Sequence, residues 1–141
     1  MIVVADASVT LKWLLPLKPD EAHVPQAQNL HQRAAAGEID LLQPPHWIGE
    51  VLSLMTRHVS LTAIEAYADF LTTMRYRVAD SPPLYRRSAA LSISLQHHLF
   101  DTLYHAAALL HPSAILVTAD ERYFRKASHL GRITLLADWQ H

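Results

Sequence analysis

The sequence predicts an α/β fold, a three-layer α/β/α sandwich around a mainly parallel sheet, in a single domain spanning residues 1–141. Three observations predict it. Ile2 to Ala5 and Ala114 to Val117 are short continuous apolar runs, as expected of strands buried on both faces. Each run ends at once in a polar step, Asp6-Ala7-Ser8 in one case and Thr118-Ala119-Asp120 in the other. Between them, stretches with helical spacing alternate with further strand-like runs, the pattern of repeated β-α-β units.

Each element has its own local reason. After the first strand, Val9 and Trp13 fall four apart on one helical face, and Ser8 is placed to cap that helix. Pro16 and Lys18-Pro19-Asp20 end it. Ala27, Leu30 and Ala34 space a second helix that Gly37 is placed to stop, with Pro25 near its start. Ile39 to Gln43 read as a strand closed by Pro44-Pro45. A helix from near His46 carries Trp47, Val51, Leu54 and Met55 on one stripe, with Glu50 at its border. Thr62 and Glu65 have the spacing of a capping box for a helix reaching about Arg75. Tyr76 to Ala79 read as a short third strand. Asp80-Ser81-Pro82-Pro83 punctuates before a helix from about Leu84 to Gln96. Asp101 then falls in the first turn of an alanine-rich helix, apolar or small on both faces and so expected to be largely buried. A short helix from Glu121 and a strand from Ile133 to Leu136 complete the chain.

Composition narrows the function classes. Half of the 141 residues are hydrophobic, enough to build a core, and the absence of cysteine excludes disulfides and thiolate metal sites. A formal net charge of −1 gives no global basic footprint for nucleic acid, so such contacts would need local patches or a bridging cation. The N-terminus has no basic leader segment, and no apolar stretch approaches membrane-spanning length; a cytoplasmic protein with no membrane contact is expected.

The acids carry the functional argument. Asp6 and Asp120 follow their strands and, if those strands are parallel, emerge at the same edge of the sheet, where open α/β sheets bind ligands. Taken alone, the first motif reads equally well as a helix cap or as a rigidly placed carboxylate. Asp101 begins the helix that leads into the Asp120 strand, where the helix N-terminus favours an anion. Glu50 is the only acid of its helix. Four converging carboxylates repel one another, and a divalent cation removes that penalty. Hard oxygen ligands without cysteine point to Mg²⁺ or Mn²⁺, which can acidify a water and stabilise an in-line phosphoryl displacement.

Four segments in order, Val3-Val4-Ala5-Asp6-Ala7-Ser8-Val9 with Lys12-Trp13, Pro44-Pro45-His46-Trp47-Ile48-Gly49-Glu50-Val51-Leu52, Phe100-Asp101-Thr102-Leu103-Tyr104-His105-Ala106-Ala107-Ala108, and Leu116-Val117-Thr118-Ala119-Asp120, resemble PIN-domain nucleases, most closely toxins of the VapC type. The resemblance covers almost the whole chain. It implies a Mg²⁺- or Mn²⁺-dependent ribonuclease that hydrolyses RNA phosphodiesters, the toxin of a toxin–antitoxin pair, usually homodimeric and inhibited by a VapB-type antitoxin. By match to the motifs, Asp6, Glu50, Asp101 and Asp120 are the catalytic and metal-ligating positions, with Ser8 and Thr118 as hydroxyls that orient them. The family commonly has Asn where this chain has Ser53 and Ala where it has Thr102, a residue expected to alter the cleft near Asp101. The alternative is a catalytically weak or inactive PIN-like protein that binds RNA or a protein partner.

Other residues compete for roles. Arg122 and Arg125, close to Asp120, are candidates for RNA phosphate contacts. His105, one turn after Asp101, is a second candidate for a phosphate contact. Val9, Trp13 and Leu14 belong to an apolar set too broad for one buried stripe and are candidates for an antitoxin groove, although Trp13 and Trp47 also read as core. Surplus apolar residues between Leu61 and Met74 and between Leu84 and Leu95 point to a homodimer. Ten histidines raise zinc, but no His-Glu-x-x-His motif is present, and the adjacent His97 and His98 cannot share one helical face. A haloacid-dehalogenase-type phosphotransferase needs an Asp where Ser8 stands, and a receiver-like phosphoacceptor needs a Lys after the last strand.

Overall fold

A computed structural model describes residues 1–140. Its elements run β1 (Ile2–Ala5), α1 (Ala7–Leu14), α2 (Val24–Ala35), β2 (Asp40–Gln43), α3 (Trp47–Met55), α4 (Leu61–Thr73), β3 (Arg77–Val78), α5 (Pro82–Leu95), α6 (Leu99–Leu110), β4 (Ala114–Thr118), α7 (Glu121–Ala127) and β5 (Ile133–Leu135). All five strands form one parallel sheet in the order β3-β2-β1-β4-β5. This is the α/β architecture expected from the two apolar runs.

β1 is central, and its register explains why. Val3 lies opposite Leu41 on one side and Ile115 on the other, and Ala5 faces Val117. Val3, Val4 and Ala5 are fully buried, each valine contributing about 1.5–3 kcal/mol by leaving water. From β1 the chain steps outward to β2 and β3, then returns to the other side of β1 for β4 and β5. Because parallel crossovers are right-handed, α1 to α4 cover one face and α5 to α7 the other. The strand order therefore reverses between β1 and β4, and the crevice at their carboxyl ends is where such sheets place ligands.

α6 packs across β1, β2 and β4, with Thr102 to Ala108 all buried. Ala106, Ala107 and Ala108 are small enough to let the helix approach the sheet closely. Trp47, 1% exposed, anchors α3: its indole Nε1–H donates to Thr10 Oγ1 on α1 at 3.0 Å, and its ring meets Tyr76 edge-on.

Two caps differ from the expected ones. Asp6, not Ser8, caps α1 by accepting from Val9 N at 3.1 Å. Ser60 caps α4 by accepting from Ala63 N, and Thr62 and Glu65 are left exposed on the helix. In both cases the cap is the polar residue two positions earlier, whose extended backbone aims its side-chain oxygen at the free N–H groups.

Candidate metal centre

The site is built at the β1/β4 crevice from four elements. The end of β1 delivers Asp6, the first turn of α3 delivers Glu50, the first turn of α6 delivers Asp101, and the turn after β4 delivers Asp120. Asp120 also caps α7, accepting from Tyr123 N at 3.0 Å.

Asp6 is the most heavily bonded of the four. Ser8 Oγ and Val9 N donate to its Oδ1, and Thr118 Oγ1 donates to its Oδ2. The same hydroxyls stitch the two strand ends together. Ser8 Oγ accepts from Ala119 N at 3.2 Å, and Thr118 Oγ1 accepts from Asp120 N at 3.0 Å. Ser8 and Thr118 thus touch Asp6 directly and tie it to the turn that carries Asp120.

Burial pushes the Asp6 carboxyl up to about 6 from 3.8, against the pull of its hydrogen bonds, and the nearby Asp101 charge adds to the rise. Folded protein therefore keeps this proton at pH values where the unfolded chain has released it. Asp6 contributes stability that is present below about pH 4 and lost as pH rises through 6, roughly 3 kcal/mol in the absence of metal. Melting temperature measured in chelator should fall as pH is raised from about 4 to 7. Asp6→Asn should flatten that slope. An Asn variant as steep as the parent would assign the effect to another group.

Asp101 is the electrostatic centre of the group. Burial raises its carboxyl, as do the charges of Glu50 and Asp120, while a hydrogen bond from His97 opposes them. Glu50 goes the other way. Burial raises it, but hydrogen bonds from His46 and Tyr104 outweigh that and leave it below the ordinary carboxylate range. Tyr104 donates to Glu50 Oε2 at 2.6 Å, and that carboxylate together with burial holds the phenol strongly protonated.

Among the described residues, His97, Asp101 and Asp120 bring one potential ligand atom each to within 4.8 Å of one another. Asp6 and Glu50 fall outside that tight group, although the charge of Asp101 reaches Asp6 and that of Glu50 reaches Asp101. Carboxylates close enough for Glu50 and Asp120 to raise Asp101, and for Asp101 to raise Asp6, form a donor set suited to a hard divalent cation. A cleft of about 470 Å³ opens beside it, lined by Pro45, His46, Gly49, Glu50, Ser53, Leu54 and Phe100.

Several expected roles do not survive the geometry. His105 is fully buried, hydrogen-bonded to the Tyr123 hydroxyl and to the Gly131 carbonyl, both at 2.9 Å, so it cannot reach a phosphate. Thr102 turns away from the cleft: its hydroxyl lies 2.9 Å from Ser88 Oγ and from the Ser88 carbonyl on α5. Val9 is fully buried, and Trp13 is 7% exposed and stacked on His31, so neither offers a partner much surface. Of the three groove candidates, Leu14 remains at the surface and lines an apolar groove with Ala63, Ala66, Tyr67 and Phe70. Arg122 and Arg125 are exposed on α7, with Arg125 3.9 Å from Glu121. His97 was passed over in the sequence because its neighbour His98 points elsewhere. The signal was its spacing of four residues from Asp101.

No family model matches the chain, and no curated protein matches it in sequence. Solved structures match its fold. A chain of VapBC-1 from nontypeable Haemophilus influenzae aligns at TM-score 0.68 and 13% identity, over 98% of this chain and 100% of that one. A chain of VapBC2 from Rickettsia felis, bound to a DNA fragment from their promoter, aligns at 0.67 and 14%, over 96% and 97%. A chain of FitAcB from Neisseria gonorrhoeae aligns at 0.60 and 16%, over 96% of each. At these identities the likeness establishes the architecture. The chain has the parallel α/β fold of those structures. No helix among the described residues is long and apolar enough to cross a membrane.

Proposed function

We propose that this protein is a metal-dependent endoribonuclease, the toxin of a toxin–antitoxin pair, acting as a single PIN-like domain in the cytoplasm. The observation that carries the reading is Asp101. It lies in the first turn of α6, where its carboxyl is raised by burial and by two other acids of the same crevice, which is costly unless a cation is meant to sit there.

Asp6, Asp101 and Asp120, with Glu50 at the border, would hold Mg²⁺ or Mn²⁺. Bound there, the cation would supply counter-charge to the phosphodiester in its transition state and acidify the attacking water. The chain's own residues do the rest. Ser8 and Thr118 fix the Asp6 carboxylate, and Tyr104 and His46 keep Glu50 ionised beside the cleft. Arg122 and Arg125, on the helix that Asp120 caps, supply flexible positive charge for RNA phosphates.

The antitoxin belongs to the same reading. Its apolar anchors would lie in the groove of Leu14, Tyr67 and Phe70, at the end of α1, the helix that follows β1. Self-association would cover α5, which leaves Tyr85 47% and Ile93 80% exposed.

The test is cleavage itself. Protein purified free of any bound inhibitor should cut total RNA in Mg²⁺ or Mn²⁺ and not in EDTA, with discrete ends on mapping. Intact RNA in both cations would leave the fold in place and remove the nuclease.

A further inference from the structure

Resting on the reading of the acids as a cation site, we propose that His97 is a positioning residue. Locked as one tautomer by Lys126, it donates to Asp101 and leaves that carboxylate one oxygen for the cation, without being a ligand itself.

His97 sits at the corner between α5 and α6, and the backbone there is tightly held. Gln96 takes a left-handed conformation at φ 50°, which turns the chain. His97 N donates to the Ser92 carbonyl at 3.1 Å, while Ser92 Oγ donates back to the His97 carbonyl at 2.6 Å. The imidazole packs against the Tyr123 ring, centroids 4.8 Å apart, and its side chain is 9% exposed. Little freedom is left for the ring to turn.

Its two nitrogens meet different partners. Nε2 lies 2.8 Å from Asp101 Oδ2, and Nδ1 lies 3.3 Å from Lys126 Nζ. Lys126 Nζ is itself held by the Gln96 carbonyl at 3.0 Å. An ammonium has three donors and no lone pair, so the nitrogen facing it must be the acceptor. The ring hydrogen is then on Nε2, directed at Asp101. A nitrogen that carries a hydrogen has no lone pair for a metal. His97 Nε2 is close enough to Asp101 and Asp120 to complete a three-ligand cluster, and Lys126 is what assigns it the other role. Outer hydrogen bonds of this kind orient a ligand and set the affinity of the site.

The experiment uses the full chain and has a readout that needs no cation. Long-range ¹⁵N–¹H spectra of the metal-free protein should show His97 protonated on Nε2. The Nδ1–H tautomer overturns the proposal. Calorimetric titrations with Mg²⁺ and with Mn²⁺ then compare the parent with His97→Ala, His97→Gln, Lys126→Met and Asp101→Asn. His97→Ala should weaken both cations alike, by about 10-fold or more. His97→Gln, whose amide N–H can donate in the same direction, should recover most of that loss. Lys126→Met frees Nδ1, lets the ring switch tautomer, and should favour Mn²⁺ over Mg²⁺ relative to the parent, since imidazole suits the transition metal. His97→Ala binding both cations like the parent overturns the proposal. So does a His97→Gln no better than His97→Ala with Mn²⁺ hit much harder than Mg²⁺, which would make His97 a ligand. Asp101→Asn separates the premise from the inference: if it binds cations as the parent does, the carboxylate site is wrong whatever the tautomer of His97.

Discussion

Asp101→Asn should reduce RNA cleavage by about 10³-fold, equivalent to roughly 4 kcal/mol of transition-state stabilisation, and leave the fold intact. The change keeps the shape of the side chain and removes its charge. His97 can still donate, now to the amide oxygen, so the corner between α5 and α6 keeps its contact. What disappears is the charge that raises Asp6 and is itself raised by Glu50 and Asp120. Metal-free protein should therefore melt at the parent's temperature or higher, because like-charge repulsion is relieved. Cleavage rates under single-turnover conditions and thermal melts in chelator check the two halves together. A variant that cuts as fast as the parent removes Asp101 from the chemistry. One that has lost activity along with several degrees of melting temperature makes it a structural residue.

The second large effect lies away from the charges. Trp47→Ala should cost about 3–5 kcal/mol of stability, and lower the melting temperature by roughly 10 °C. Trp47 is among the largest fully buried side chains and joins α3 to α1 and to the segment before β3, with its ring on Tyr76 and its N–H on Thr10. Thr10 in turn donates to the Asp6 carbonyl at 3.1 Å, so one indole ties the helix of Glu50 to the helix capped by Asp6. Trp47→Phe keeps most of the buried area and loses the hydrogen bond, at about 1–2 kcal/mol. Denaturant unfolding of both variants gives the comparison. Equal losses in Ala and Phe would show that the hydrogen bond, not the packing, carries the effect.

How much was legible follows from what each kind of signal encodes. The apolar runs Ile2 to Ala5 and Ala114 to Val117 were readable because a strand buried on both faces leaves a continuous run. Their parallel pairing then sends Asp6 and Asp120 to one edge. Which strands are neighbours is a different matter. Nothing in the periodicity of β2 says that it sits beside β1 while β4 takes the other side, since hydrophobic pattern specifies burial and not partner. The two caps differ from expectation by two residues because Asp6 and Ser8, or Ser60 and Thr62, are equally good chemistry in sequence. Backbone conformation decides between them. Trp13 and Val9 were read as surplus to one stripe because α1 is packed by α2, α3 and the sheet, a breadth of burial that one helix's own pattern cannot report. His97 is set aside in sequence by comparison with its neighbour His98, whereas its contact is with Asp101, four residues on and across the start of α6.

The central place of β1 has a bearing on synthesis. β1 is made well before β4, so Ala5 must wait for Val117 to pair with it, and the Asp6 carboxylate must wait for the Thr118 hydroxyl. Pairing across so long a separation in sequence is entropically expensive and comes late in folding. Until β4 emerges, the four acids are spread along a chain that has no crevice to hold them. A crevice assembled this way exists only once β4 has been made, so any chemistry its acids perform is withheld while the residues before Ala114 are being synthesised.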